Sequence, residues 1–116
     1  MVKPKILITG ASGLIGGLVL KALCRKYDFT TVNRRKVEGF PTTQADISDL
    51  EAILPAFKGI DSVLHLASHT AGNNWDKQMS VDIGGTYNVY EAARRSGVKR
   101  VVYASSGGTM LGYEGD

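Results

Sequence analysis

The 116-residue chain holds a single cysteine, so no internal disulfide can staple it. Cys24 sits beside Leu20 and Leu23 in a helical pattern, which predicts a small buried side chain rather than a nucleophile. No apolar run approaches the roughly 18 residues that a membrane-spanning helix needs. The amino-terminal apolar stretch Ile6–Ile8 stops at Thr9-Gly10, too short for the apolar core of a secretory signal. A reducing cytoplasm is therefore the expected location. The sequence also lacks a long basic stripe interleaved with aromatics. Its net charge is +3, and the cations gather only at Lys21, Arg25, Lys26 and at Arg34, Arg35, Lys36. That pattern points away from nucleic acid and toward a small phosphorylated ligand. A metal site is not expected either. His65 and His69 are four apart, but His65 falls on a predicted strand, so the two do not share a helical face.

Apolar residues make up 43% of the chain and charged residues 22%, which excludes a disordered polymer. The length fits one domain over residues 1–116. Ile6-Leu7-Ile8 reads as a parallel strand buried on both faces. Leu14, Ile15, Leu18, Val19, Ala22 and Leu23 then recur at helical spacing, and Tyr27-Asp28 breaks that helix. Phe29–Val32 predicts a second strand and Thr43–Ala45 a short third one. Ser48-Asp49-Leu50-Glu51 has the form of a capping box, opening a helix with Leu50, Ile53, Leu54 and Phe57 inward. Pro55 should distort its last turns. Ser62–Leu66 is the fourth strand, and a polar loop from His69 to Asn74 leads into a long helix through Val81, Tyr87, Val89, Tyr90, Ala92 and Ala93. Val101–Ala104 is the fifth strand. Alternating strands and helices predict an open parallel sheet covered on both faces.

Between the first strand and first helix stands Gly10-Ala11-Ser12-Gly13-Leu14-Ile15-Gly16. A turn that cradles a pyrophosphate must be tight, must let backbone approach the ligand, and must pack helix on strand; side chains obstruct all three. The amides at the helix start then face the phosphates. A strand before the glycines and a helix after them is the context this reading requires.

The Gly-x-x-Gly-x-x-Gly spacing resembles the extended short-chain dehydrogenase/reductase superfamily, the NAD-dependent epimerase/dehydratase group. Asp46-Ile47 resembles that family's acidic position after the third strand, which meets the adenine amino group. His65-Leu66-Ala67-Ser68 is similar to its Leu-Ala-Ala segment along the cofactor. Val81-Asp82-Ile83-Gly84-Gly85-Thr86 resembles its Val-Asn-x-x-Gly-Thr, with Asp82 in place of asparagine, free either to rearrange local hydrogen bonds or to face solvent. Arg100 to Ser106 resembles the strand that carries the catalytic serine. The resemblance implies a Rossmann-like doubly wound sheet of about five strands in three layers. It also implies an NAD(P)-dependent sugar or sugar-nucleotide epimerase, dehydratase or reductase. The stretch Ala104-Ser105-Ser106 with Thr109 and Gly112-Tyr113 is similar to uronate dehydrogenases.

The cofactor residues so implied are Gly10, Ser12, Gly13, Leu14, Ile15, Gly16, Asn33, Arg34, Asp46, Ile47, Leu66, Ala67, Ser68, Asp82 and Ser105. Val32-Asn33-Arg34-Arg35 lacks the acid that would bind the ribose hydroxyls of NAD, and its guanidinium pair suits the 2′-phosphate of NADP. NADP is therefore expected, with NAD the alternative. Ser106 is the expected catalytic hydroxyl, with Thr109 second; a Ser/Gly loop without chemistry is the competing reading. The family's Tyr-x-x-x-Lys occurs nowhere: the fourth residue after Tyr27, Tyr87, Tyr90 and Tyr103 is Thr31, Glu91, Arg94 and Gly107. The expectation is a fragment, inactive alone, whose substrate segments and catalytic pair lie beyond it. The alternative is a non-catalytic dinucleotide-binding module with a regulatory or redox-sensing role. A homodimer is left open.

Overall fold

The computed structural model describes residues 2–69 and 72–106. Five parallel strands are β1 (Lys5–Thr9), β2 (Asp28–Asn33), β3 (Thr42–Gln44), β4 (Ser62–His65) and β5 (Arg100–Tyr103). They stand in the order β3-β2-β1-β4-β5. This is a Rossmann-like α/β fold, and its first strand is central because its run of buried aliphatics is paired on both edges. Ile6 lies beside Phe29 of β2 and Ser62 of β4, and Thr9 lies beside Val32 and His65.

Alternation along the strands divides the core in two. On one face Leu7, Val32 and Val63 pack with Ile53 and Phe57 and with Val89, Ala92 and Ala93. On the other, Ile8 and Phe29 pack with Leu20 and Ala11. Ile53 and Phe57 are fully buried, and each such side chain stabilises the fold by about 1.5–3 kcal/mol.

The helices depart from the sequence expectation in four instructive ways. Helix α1 (Leu14–Leu23) buries only Gly16 and Leu20, whereas Leu14, Ile15 and Leu18 are exposed. Gly16 sets that rotation: a Cβ there would lie 2.6 Å from the Gly10 carbonyl oxygen and 2.7 Å from Ala11 Cα. Backbone therefore meets backbone at Gly16, and Leu20, one turn on, follows it inward. Second, Cys24 is exposed rather than buried, because the helix ends there and the chain turns through Tyr27 N–H donating to the Leu23 carbonyl.

Third, the cap of helix α2 (Leu50–Ile53) is Asp49, not Ser48. The Asp49 Oδ1 accepts from Ala52 N at 3.2 Å, while the Ser48 amide donates back to Asp46 Oδ1 at 2.9 Å. Asp49 is the better placed oxygen, so the box slips by one residue. Pro55 turns the remainder, Leu54–Phe57, into a 3-10 helix as anticipated. Fourth, the long helix is not continuous. Helix α3 (Trp75–Lys77), capped by Asn74, passes through a π segment (Gln78–Ile83) into α4 (Gly84–Arg95). Gly85 packs directly on Ile47, where a Cβ would sit 2.6 Å from the Ile47 side chain. Among the described residues no helix is long and apolar enough to cross a membrane.

Candidate functional site

In an open α/β sheet the ligand crevice forms where successive connections leave in opposite directions. Here that point lies between β1, which continues to β2, and its other neighbour β4. A groove of about 560 Å³ opens beside the carboxyl ends of these strands, within the ~300–1,000 Å³ of ordinary small-molecule sites.

Its floor is the turn after β1. Gly10 has φ +74°, and a Cβ there would lie 2.6 Å from Ala67 N and 2.8 Å from Leu66 C. Glycine is thus required twice over, by backbone conformation and by contact with the end of β4. Gly13 and Ser12 line the same groove. Gly13 caps α1 without a side chain, and no acid occupies the first turn. The first-turn amides of Leu14, Ile15 and Gly16 therefore have no intrahelical acceptor and no competing anion. Leu14, Ile15 and Gly16 do not line the groove: the Leu14 and Ile15 side chains stand in the open, and Gly16 serves the packing described above.

One wall comes from the end of β2. Asn33 Nδ2 donates to the Arg35 carbonyl at 2.8 Å, and Ser12 Oγ donates to Asn33 Oδ1 at 3.4 Å. Asn33 thus ties the glycine turn to the turn bearing Arg34 and Arg35, both of which line the groove. Asp46 and Ile47 follow β3 into the same wall. The Ser48 amide holds the Asp46 carboxyl below its ordinary range, with the Ser48 side chain and the cations Arg34 and Lys77 adding to that effect and partial burial opposing it. Leu66, Ala67 and Ser68 form the facing wall. Thr9 Oγ1 accepts from both the Leu66 and Ala67 amides at 3.1 Å.

Leu66, Ala67 and Ser68 also border a second hollow of about 170 Å³, with Asp82, Thr86, Tyr103, Ser105 and Ser106 around it. The expected site residues are therefore divided: most line the groove, Ser105, Ser106 and Asp82 line the hollow that shares its wall, and Leu14, Ile15 and Gly16 line neither. Asp82 does rearrange local hydrogen bonds, its Oδ1 accepting from the His69 amide at 2.7 Å. Thr109 lies outside the described residues. Asn74 caps α3, and Trp75 is exposed; neither lines the groove.

Sequence reasoning anticipated Arg35 beside Arg34 but missed His69, Lys77 and Val81 as groove residues. Lys77 and Val81 are four apart on the helical stretch after β4, a spacing that places both on one face. His69 Nε2 is buried without a partner among the described residues. His65 belongs to neither space: it is fully buried between Thr9 and Thr86. Burial pulls its imidazole from 6.5 down to about 4, against the opposing Asp82 carboxylate. No cluster of three metal-ligating side chains occurs among the described residues.

Known proteins share this architecture. An L-arabinose 1-dehydrogenase (NAD(P)(+)) of Haloferax volcanii is 41% identical over 88% of this chain and 41% of its own. A uronate dehydrogenase of Pseudomonas syringae pv. tomato is 32% identical over 88% of this chain and 39% of its own. A uronate dehydrogenase of Agrobacterium tumefaciens, solved in complex with NAD, superposes with a TM-score of 0.81 at 27% identity, covering 90% of this chain and 42% of its own. The chain thus spans about two fifths of the length of the relatives it matches. With the glycine turn, the switch-point groove and a match to the family model over residues 6–115, the chain belongs to the NAD dependent epimerase/dehydratase family.

Proposed function

We propose that this chain is the cofactor-binding portion of an NAD(P)-dependent sugar dehydrogenase, epimerase or dehydratase, and that it prefers NADP. One observation carries the reading. Gly10, Gly13, Arg34, Asp46 and Ala67, drawn from four separate strand ends, line a single groove over the switch point. The fit to a dinucleotide rests on three features: the glycine turn packed backbone to backbone against the end of β4, the uncapped amides of α1, and the orphaned His69 Nε2.

The bound nicotinamide would supply hydride exchange with a sugar carbon. The α1 amides would hold the pyrophosphate, and Asp46 would meet the adenine amino group. Arg34 and Arg35 would pair with the 2′-phosphate, on a turn that Asn33 keeps in place. Asn33 is neutral, so no carboxylate at the end of β2 repels that phosphate. Ser106, beyond the shared wall, would orient the substrate oxygen, with Ser105 facing the cofactor. Because the sequence contains no Tyr-x-x-x-Lys, proton transfer needs groups outside this chain. The chain alone should bind cofactor without turnover.

The relatives named above act on arabinose and uronates, which supports a free sugar or sugar acid as substrate over other oxidoreductase chemistry. The second reading is a non-catalytic dinucleotide-binding sensor. A reading frame that continues past Asp116 into Tyr-x-x-x-Lys supports the enzyme; a stop codon there supports the sensor.

Calorimetric titration of the chain with NAD and NADP tests the cofactor assignment. Arg34→Ala should weaken NADP about tenfold, the loss of roughly one charge-assisted hydrogen bond, and barely change NAD. Equal affinities for the two cofactors, unmoved by the substitution, would refute the NADP preference.

A further inference from the structure

Thr9, His65 and Tyr103 form a row across β1, β4 and β5 at their carboxyl ends. Thr9 Oγ1 lies 2.6 Å from His65 Nδ1, His65 Nε2 lies 2.8 Å from Thr86 Oγ1, and the Tyr103 ring stacks on the imidazole with centroids 5.2 Å apart. Counting protons fixes the direction of this chain. A hydroxyl has one proton and two lone pairs. The Ala67 amide donates to Thr9 Oγ1 at 3.1 Å, and the Leu66 amide divides between Thr9 Oγ1 and the Thr9 carbonyl, each at 3.1 Å. With both amides turned toward that oxygen, the Thr9 proton is directed to His65 Nδ1, which accepts. The imidazole is therefore the neutral Nε2–H tautomer, and Nε2–H donates to Thr86.

The two amides that Thr9 holds belong to the wall against which Gly10 packs at backbone contact. We propose that His65 is a positioning residue for the groove: it orients the Thr9 hydroxyl, which pins Leu66 and Ala67 against the glycine turn. The effect on the cofactor is transmitted through Thr9, since His65 itself lines neither cavity. A second proton on His65 would set an N–H against an oxygen that already accepts from two amides, and the clamp would loosen. The titratable groups facing the ring are Asp82, on the π segment, and Tyr103, on β5. Burial, which holds the imidazole near 4, keeps the clamp shut through the neutral range.

This inference rests on the groove being a dinucleotide site, and two readouts separate the two ideas. Nitrogen-15 NMR of the ligand-free chain at pH 7 should show His65 Nδ1 unprotonated and Nε2 protonated. Dissociation constants for NADP should then rise about tenfold in His65→Phe, which keeps a ring against Tyr103 but leaves Thr9 without an acceptor. His65→Asn, whose side-chain carbonyl can accept from Thr9, should recover most of that loss. A protonated Nδ1 overturns the proposal even if the variants misfold. Unchanged NADP affinity in a folded His65→Phe overturns it while the groove reading stands, and a wild-type chain that binds neither NAD nor NADP removes both.

Discussion

Replacing Gly10 with alanine loads two separable costs onto one methyl group. The backbone there has φ +74°, which costs a non-glycine residue about 1–2 kcal/mol. The new Cβ would also stand 2.6–2.8 Å from Ala67 N, Ala67 Cα and Leu66 C, all of them backbone atoms that no rotamer change can move. Forcing such an overlap adds about 1–3 kcal/mol. The sum, about 2–5 kcal/mol, is a large part of the ~5–15 kcal/mol that stabilises an ordinary domain. It should lower the melting temperature by roughly 10–20 °C.

Three further glycines isolate the terms. Gly59→Ala meets φ +75° with nothing within 4 Å, so it should show strain alone. Gly16→Ala meets the Gly10 oxygen at 2.6 Å without a positive φ, so it should show overlap alone. Gly17→Ala, in α1 with open space around it, should stabilise by up to about 1 kcal/mol. Urea denaturation followed by far-ultraviolet circular dichroism, with a constant m-value, gives all four free energies. Gly10→Ala costing no more than Gly59→Ala would show that the β4 wall does not press on the turn, and the groove geometry would be wrong.

Other expectations follow from the same structure. His65 titrates near 4 when folded and near 6.5 when unfolded, so only the unfolded chain takes up a proton between those values. Stability should be complete above pH 6.5 and decline as pH falls toward 4, by about 3 kcal/mol at most; a urea midpoint series that is flat over that window, or equally sloped in His65→Phe, would contradict it. Asp49→Ala should cost about 1 kcal/mol and Ser48→Ala much less, as measured by thermal melts, because only the former caps α2. Asp82→Asn preserves an acceptor for the His69 amide but removes the charge that favours His65 protonation, so NMR titration should find His65 ionising at still lower pH.

The sheet and the glycine turn were readable because their signals are local. Ile6–Ile8 followed by Gly10, Gly13 and Gly16 announces a buried strand, a tight turn and a helix within a dozen residues. Gly10, Arg34, Asp46 and Ala67 could be assigned to one site through the family resemblance, and they do share one groove. What escaped depends on contacts between distant segments. Apolar periodicity in α1 suggested a broad inward stripe, yet the close approach of Gly16 to Gly10 rotates Leu14 and Leu18 outward. The π segment between Gln78 and Ile83 has no local signature, since α3 and α4 each read as ordinary helix. Val81 reaches the groove from that segment and Lys77 from the end of α3 just before it, so their shared role was hidden with it. His65 precedes the Leu66-Ala67-Ser68 wall in sequence, and strand alternation turns it inward to Thr9 and Thr86, a role no local pattern announced.

The most direct test is a nitrogen–proton correlation spectrum of the chain titrated with NADP. Backbone amides from Gly10 to Gly16, with those of Arg34, Asp46 and Ala67, should shift together with a single dissociation constant. If these amides stay in place at saturating NADP and NAD, the crevice between β1 and β4 is not where a dinucleotide binds.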